Sequence, residues 1–247
     1  MEEVNGQKPK VKGIVDICFL IDATGSMQPC IDAIKDNIGT FIDTLTKTDE
    51  NGGVMLQDWR ACICGYRDFE HEPAHGREPM VMNPFTSNPE VLRKQLADLK
   101  AEGGGDEPES LLDALYTVIS RGKTPKGAQS EDDKWRYASD AARCIIVLTD
   151  ASFHPTMQTV KGGGLDDVIQ LMQQERIRLS IFAPEMECHY GLASADKSTY
   201  EAIEVPDDKS PVQALQDFTA DESHFTETLK LLAKSVSQSA AADIDVL

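Results

Sequence analysis

Two short apolar runs set the frame within which this chain can fold: residues 14–21 (Ile-Val-Asp-Ile-Cys-Phe-Leu-Ile) and 143–148 (Arg-Cys-Ile-Ile-Val-Leu). Neither alternates polar and apolar residues, so each reads as a strand buried on both faces, as in a covered parallel sheet. Between and beyond them lie helical periods. Residues 28–46 place Ile31, Ile34, Ile38, Phe41, Ile42 and Leu45 on one face, and 107–121 carry Leu111, Leu112, Leu115, Val118 and Ile119. Further helices are predicted over 89–100, capped by Ser87 or Asn88, over 165–176, over 196–203 and over 223–238. Strands are predicted over 57–66, near 80–82 and over 178–183, with a turn at Asn51-Gly52-Gly53. Strands alternating with helices predict an α/β fold with a mostly parallel sheet covered on both faces. Residues 1–12 read as a polar N-terminal segment, 13–238 as one domain, and 239–247 as a fraying tail. Within the domain, 122–140 reads as a long mobile or inserted loop.

Charge removes two classes of partner. With 42 acidic and 24 basic residues the formal net charge is −18, and the basic residues are scattered. Such a chain is repelled by nucleic acid and by anionic membrane surfaces. No apolar stretch is long enough for membrane insertion, and the first residues lack the apolar core of a signal peptide. The six cysteines (Cys18, Cys30, Cys62, Cys64, Cys144, Cys188) fall mostly inside strand-like runs, which suits reduced thiols and a cytoplasmic location. Cys62-x-Cys64 is not a zinc spacing; period-2 geometry puts both thiols on one face, as ordinary packing does.

The first apolar run leads directly into Asp22-Ala23-Thr24-Gly25-Ser26. Alternate residues of an extended segment point the same way, so a carboxylate and two hydroxyls can converge on one point. Hard oxygen donors so placed suit Mg²⁺, with Mn²⁺ or Ca²⁺ as substitutes. The second run ends in Thr149-Asp150. In open α/β sheets ligands bind beyond the carboxyl ends of the strands, and both aspartates stand there.

The order of elements and three loops resemble the von Willebrand factor A (vWA) family: Asp22-x-Thr24-x-Ser26, then Gly103-Gly104-Gly105-Asp106-Glu107-Pro108-Glu109, then Leu148-Thr149-Asp150. The resemblance implies a three-layer Rossmann-like vWA fold with one antiparallel edge strand near 80–82. It implies a metal-ion-dependent adhesion site, with Asp22, Thr24, Ser26, Asp150 and either Asp106 or Glu109 around one cation. The second loop is similar to that of integrin β subunits, which makes Glu109 the ligand and moves Asp106 outward. By the same resemblance Asp68, Asp106 and Glu109, with the Pro108 carbonyl, hold a second ion, Ca²⁺. Against this, Gly104 stands where those relatives place an asparagine, and Asp68 can equally pair with Arg67 or cap its loop. A third neighbouring ion is not expected, since Pro29 and Cys30 replace its acidic ligands. Asp106-x-x-Glu109 also fits a helix capping box, a role that can coexist with metal binding.

The function so implied is divalent-metal-dependent binding of a protein partner through its Asp or Glu carboxylate, without catalysis. A regulatory subunit working with a kinase or ATPase is a further reading, since the first loop looks somewhat like vWA segments joined to atypical kinases. The alternative is a metal-dependent hydrolase or phosphoryl-transfer enzyme, which lacks a placed general base or nucleophile. Other motifs carry less. His71-Glu72-Pro73-Ala74-His75 matches H-E-x-x-H, but Pro73 breaks the helix which that chemistry needs. Gly122-Lys123-Thr124 lacks the earlier glycine of a P-loop, and Gly162-Gly163-Gly164 reads as a flexible loop.

Overall fold

The computed structural model describes residues 13–46, 56–104 and 107–242. The expected turn at 51–53, residue Asp106 and the end of the tail lie outside them. Among the described residues six strands form one sheet: β1 (Gly13–Asp22), β2 (Leu56–Tyr66), β3 (Met80–Met82), β4 (Ala142–Leu148), β5 (Ile177–Pro184) and β6 (Ser198–Ile203). Their spatial order is β3-β2-β1-β4-β5-β6. Every neighbouring pair is parallel except β2 with β3, which makes β3 the antiparallel edge. Chain order runs outward from β1 in both directions, so the topological switch point falls between β1 and β4. A crevice opens there beyond the strand ends.

Among the described residues seven helices cover the sheet: α1 (Gln28–Thr46), α2 (Pro89–Asp98), α3 (Leu111–Ile119), α4 (Leu165–Glu175), α5 (Glu187–Ala193), α6 (Pro211–Ala220) and α7 (Glu222–Ala242). β1 shows why its run is continuous. Val15, Ile17, Phe19 and Ile21 enter a core with Ile34 and Phe41 of α1 and with Leu215 and Leu229 of α6 and α7. Cys18 and Leu20 enter the opposite core with Leu115 and Val118 of α3 and Met172 of α4. Covering a leucine or phenylalanine in this way stabilises by about 1.5–3 kcal/mol per side chain.

Several expectations are corrected. Residues 198–203 are strand β6, not part of a helix over 196–203: pairing with β5 from Leu179↔Ser198 to Pro184↔Ile203 overrides the helical leaning of Glu201 and Ala202. The helix expected over 107–121 starts only at Leu111, because Glu109 is held in an isolated bridge to Phe153. That leaves Glu109 outside the helix, so it is not the N3 member of a capping box. Helices α5 and α6 were not anticipated. α5 is short and contains Gly191; α6 carries a readable signal, a Ser210/Gln213 capping box with Pro211 in its first turn.

The segment 122–140 holds no helix or strand and is tied to the sheet by two neighbouring side chains. Trp135 is buried, donates its indole N–H to the Val118 carbonyl at 2.9 Å, and packs on Phe85 with ring centroids 4.8 Å apart. Next to it, Arg136 reaches Asp16, a fully buried carboxylate in β1. Asp16 accepts from Arg60 Nε and Nη2 at 2.8 Å each, and from Arg136 N at 2.7 Å and Nε at 2.6 Å. This ion triad clamps β1, β2 and the long loop together at the end of the sheet away from the crevice.

His189 of α5 is fully buried between Phe153 and Tyr200, at 5.7 and 5.4 Å between centroids. Burial pushes its pKa down to about 4, opposed by the Ala151 backbone and Glu107. The unfolded imidazole takes a proton near 6.5. Between those values the unfolded chain binds more protons, so stability falls as pH drops through the window. His189→Phe should remove that part of the fall. Parallel pH profiles of wild type and variant in urea unfolding would contradict it.

Candidate metal centre

Asp22, at the carboxyl end of β1, is fully buried and oriented from two sides. Its Oδ1 accepts from Thr24 N at 2.9 Å and Thr24 Oγ1 at 2.7 Å; its Oδ2 accepts from Thr149 Oγ1, at the end of β4, at 2.8 Å. The chain does not stay extended beyond Thr24. Residues Gly25–Met27 form a 3-10 turn, and it is this turn that brings Ser26 Oγ to 3.3 Å from Thr24 Oγ1. Ser26 sits at the exposed mouth, Thr24 beneath it.

Two further carboxylates close the cleft. Asp150 follows Thr149. Glu109 is fixed by its own backbone, whose N–H donates to Ser152 O at 2.9 Å and whose carbonyl accepts from His154 N at 3.0 Å. Both are nearly inaccessible, and among the described residues Glu109 Oε2 and Asp150 Oδ2 are buried without a hydrogen-bond partner. A buried, unsatisfied carboxylate oxygen is costly unless a donor or cation meets it.

The cost shows in the acidities. Burial, then the Asp150 charge, pushes Asp22 up to about 7 despite the Thr24 and Thr149 bonds. Burial and the charges of Asp22, Asp68 and Asp150 push Glu109 up to about 9. Burial also raises Asp150, opposed by the Ser26 hydroxyl. The carboxylates repel one another. Glu109 and Asp150 line a cleft of about 250 Å³ with Thr24, Ser26, Gly104 and Val212 among others, and Asp22 joins it through its bonds from Thr24. Three carboxylates and two hydroxyls, with two oxygens unpartnered, are a donor set that fits a hard divalent cation.

Of the residues expected in the site, Asp22, Thr24, Ser26, Glu109 and Asp150 come together; Asp106 lies outside the described residues. Asp68 stands beside the cleft but is engaged elsewhere. Its Oδ1 accepts from Glu70 N at 2.6 Å and His71 N at 2.9 Å, and its Oδ2 meets His154 Nε2 at 3.1 Å. Burial resists its ionisation, yet the bonds from His71, His154 and Glu70 prevail and hold its carboxyl below the usual range. Arg67 turns away from it, to the Ala23, Glu102, Glu78 and Lys100 carbonyls.

Glu72 is a structural member that sequence reasoning missed. It is fully buried, pairs with Arg77, and accepts from Gly104 N at 3.1 Å, which pins the glycine loop over Thr24. Around it, Pro73–His75 form one 3-10 turn, so His71 and His75 share no α-helix face. Gly104 has φ +73°, and an added Cβ would lie 2.9 Å from Thr24 Cβ and 3.2 Å from Glu109 Oε1. Gly104→Ala should therefore cost about 1–3 kcal/mol and displace Thr24. An unchanged urea midpoint would contradict the close approach.

No family model matches the chain. It is 28% identical over 169 residues to human von Willebrand factor A domain-containing protein 7, covering 68% of this chain and 15% of that protein. It is 26% identical over 142 residues to Alpha-protein kinase vwkA of Dictyostelium discoideum, covering 58% of this chain and 19% of the kinase. Among solved structures, proximal thread matrix protein 1 from the mussel byssus matches 90% of this chain and 47% of its own, with TM-score 0.53 at 12% identity. The chain carries a vWA-like domain. Pilus adhesin SpaC from Lactobacillus rhamnosus GG, in its open conformation, shares the fold of this vWA-like domain at TM-score 0.50 and 12% identity, over 93% of this chain and 30% of the adhesin. The chain thus spans less than a fifth of the two sequence relatives' length. Among the described residues no helix of the vWA-like domain is long and apolar enough to cross a membrane.

Proposed function

We propose that this vWA-like domain is a divalent-cation-dependent protein-binding module. Likeness to vWA proteins supports an interaction role in general. What supports the metal is the pair of orphaned carboxylate oxygens, Glu109 Oε2 and Asp150 Oδ2, on two residues that line one cleft with Thr24 and Ser26. On this reading Thr24 and Ser26 supply neutral donors, Asp22 orients Thr24, and Glu109 and Asp150 supply charge. Mg²⁺ is the proposed ion; when bound it offers a Lewis-acidic position to a partner's Asp or Glu carboxylate. Glu109 in place of a neutral hydroxyl is the integrin-β-like element of the proposal, and should strengthen cation binding at some expense of partner affinity.

The geometry favours one ion. Asp68, whose oxygens accept from loop amides and meet His154, has less to offer a second Ca²⁺. The likeness to vwkA favours a more specific partner, a kinase, for which this domain would act as a recognition segment. Pull-down of partners in Mg²⁺ and in EDTA, repeated with Ser26→Ala, tests the proposal. Capture should need both the ion and Ser26; capture indifferent to both would overturn it.

A further inference from the structure

A second donor cluster lies outside the cleft, within the core that packs on α3. Cys18 of β1 stands opposite Cys62 of β2 in the parallel register, and Cys64 follows two residues on, so three thiols share one face. All are fully buried, and their sulfurs lie within 4.8 Å of one another, Cys62 and Cys64 at 4.0 Å. A cation bound in the plane of three thiolates at about 2.3 Å would set its sulfurs about 4.0 Å apart, so little rearrangement is needed.

Packing alone would explain three neutral thiols in contact. It does not explain Arg121. Its Nη1 donates to Cys62 Sγ at 3.3 Å, while Nε and Nη2 are held by the Asp133 and Asn83 carbonyls at 2.9 and 3.1 Å. The guanidinium also sits over the Phe85 ring at 4.5 Å. A half-buried cation is thus fixed against the sulfur cluster at its solvent side. Hydrogen bonds from the Cys18 and Cys62 thiols, with Arg121 nearby, hold the Cys64 thiol well below its ordinary range, whereas burial pushes Cys18 and Cys62 up.

We propose that Cys18, Cys62 and Cys64 form a three-thiolate site for a thiophilic cation, with Cu(I) as the ion that fits, and that Arg121 is its gate and partial counter-charge. Sulfur donors select soft ions. Cu(I) accepts three sulfurs in a plane, whereas Zn²⁺ asks for a fourth donor, and the cluster found among the described residues has three. Binding breaks three S–H bonds, sends the protons to solvent, and gives each sulfur's electron pair to the ion; no oxidant is consumed. The site is independent of the oxygen-lined cleft, so its failure and that of the proposed function are separable.

The test is an anaerobic titration of the reduced full chain with Cu(I) against a chromogenic Cu(I) chelator, with X-ray absorption of the product. The expected result is one Cu(I) retained per chain in a sulfur-only shell, unchanged by Ser26→Ala and lost in the Cys62→Ser/Cys64→Ser double variant. Should that variant fail to fold, Arg121→Met, which keeps the hydrocarbon over Phe85, should retain the stoichiometry and exchange Cu(I) faster. Three results would each overturn the proposal: no ion held against the chelator, a shell of nitrogen or oxygen, or thiols oxidised to a disulfide with no ion retained. Exchange unaffected by Arg121→Met would overturn the gate.

Discussion

Replacing Glu109 by glutamine should stabilise the metal-free protein at pH 9 while weakening divalent-cation binding by roughly 10–100-fold, since affinity follows the charge of the ligands. The two effects have one origin. Glu109 is buried, its Oε2 is unpartnered, and its carboxyl is pushed to about 9 from an ordinary 4.5 by burial and by Asp22, Asp68 and Asp150. The native state therefore keeps a proton that the unfolded chain releases. The associated stability is fully present below about 4.5 and is lost as pH rises through about 9. Glutamine has the same shape without the charge, so the variant should escape that loss, by about 1–3 kcal/mol, the cost of a buried unsatisfied group. The same change removes one of three carboxylates from the cleft. Urea unfolding in EDTA across pH, beside calorimetric Mg²⁺ titration, reads both effects. A variant less stable at pH 9, or one binding Mg²⁺ as wild type does, would contradict the assignment of Glu109 as a charge held for a cation.

Asp16→Ala should destabilise the fold by about 3–5 kcal/mol, the range for breaking a buried ion pair from one side. Among the described residues Asp16 is the single anion bonded to both Arg60 and Arg136. Removing it leaves two guanidinium groups whose remaining acceptors, among the described residues, are carbonyls and the more exposed Asp58. The loop 122–140 should loosen first, since Arg136 and Trp135 are its anchors. Chemical denaturation gives the loss, and hydrogen exchange at Trp135 and Arg136 gives its location. A shift under about 1 kcal/mol would place the triad among ion pairs of surface strength.

The parts of this molecule legible from sequence are those whose signal is local. Residues 14–21 and 143–148 could be read as strands because both faces are covered, and Asp22 and Asp150 could be placed because they end those strands. β6 was misread because its residues send mixed signals, Thr199, Tyr200 and Ile203 against Glu201 and Ala202, and pairing with β5 decides between them. Residues 122–140 could be read as a long loop, but not their anchors, Asp16, Arg60 and Val118, which are far away in sequence. Glu72 was hidden for the same reason: its partner Gly104 lies across a fold that only the sheet order brings together. Cys62 and Cys64 were correctly set on one face, while Cys18, the third thiol, arrives from a neighbouring strand. Ser26 shows the limit in miniature. An extended segment was expected to aim it at Thr24, and a 3-10 turn does so instead.

The cleft of Asp22, Thr24, Ser26, Glu109 and Asp150 should hold one divalent cation. Calorimetric titration of the EDTA-stripped chain with Mg²⁺, in two buffers of different ionisation enthalpy, tests it most directly. One ion per chain should bind, with protons released because the raised carboxyls must ionise, and Ser26→Ala should lose most of that affinity. At about 100 times the dissociation constant the ion adds about 2.7 kcal/mol, a rise of about 5–10 °C in melting temperature for a domain of this size. A wild-type chain that takes up no Mg²⁺ or Mn²⁺, or a Ser26→Ala variant that binds as tightly, would contradict the account.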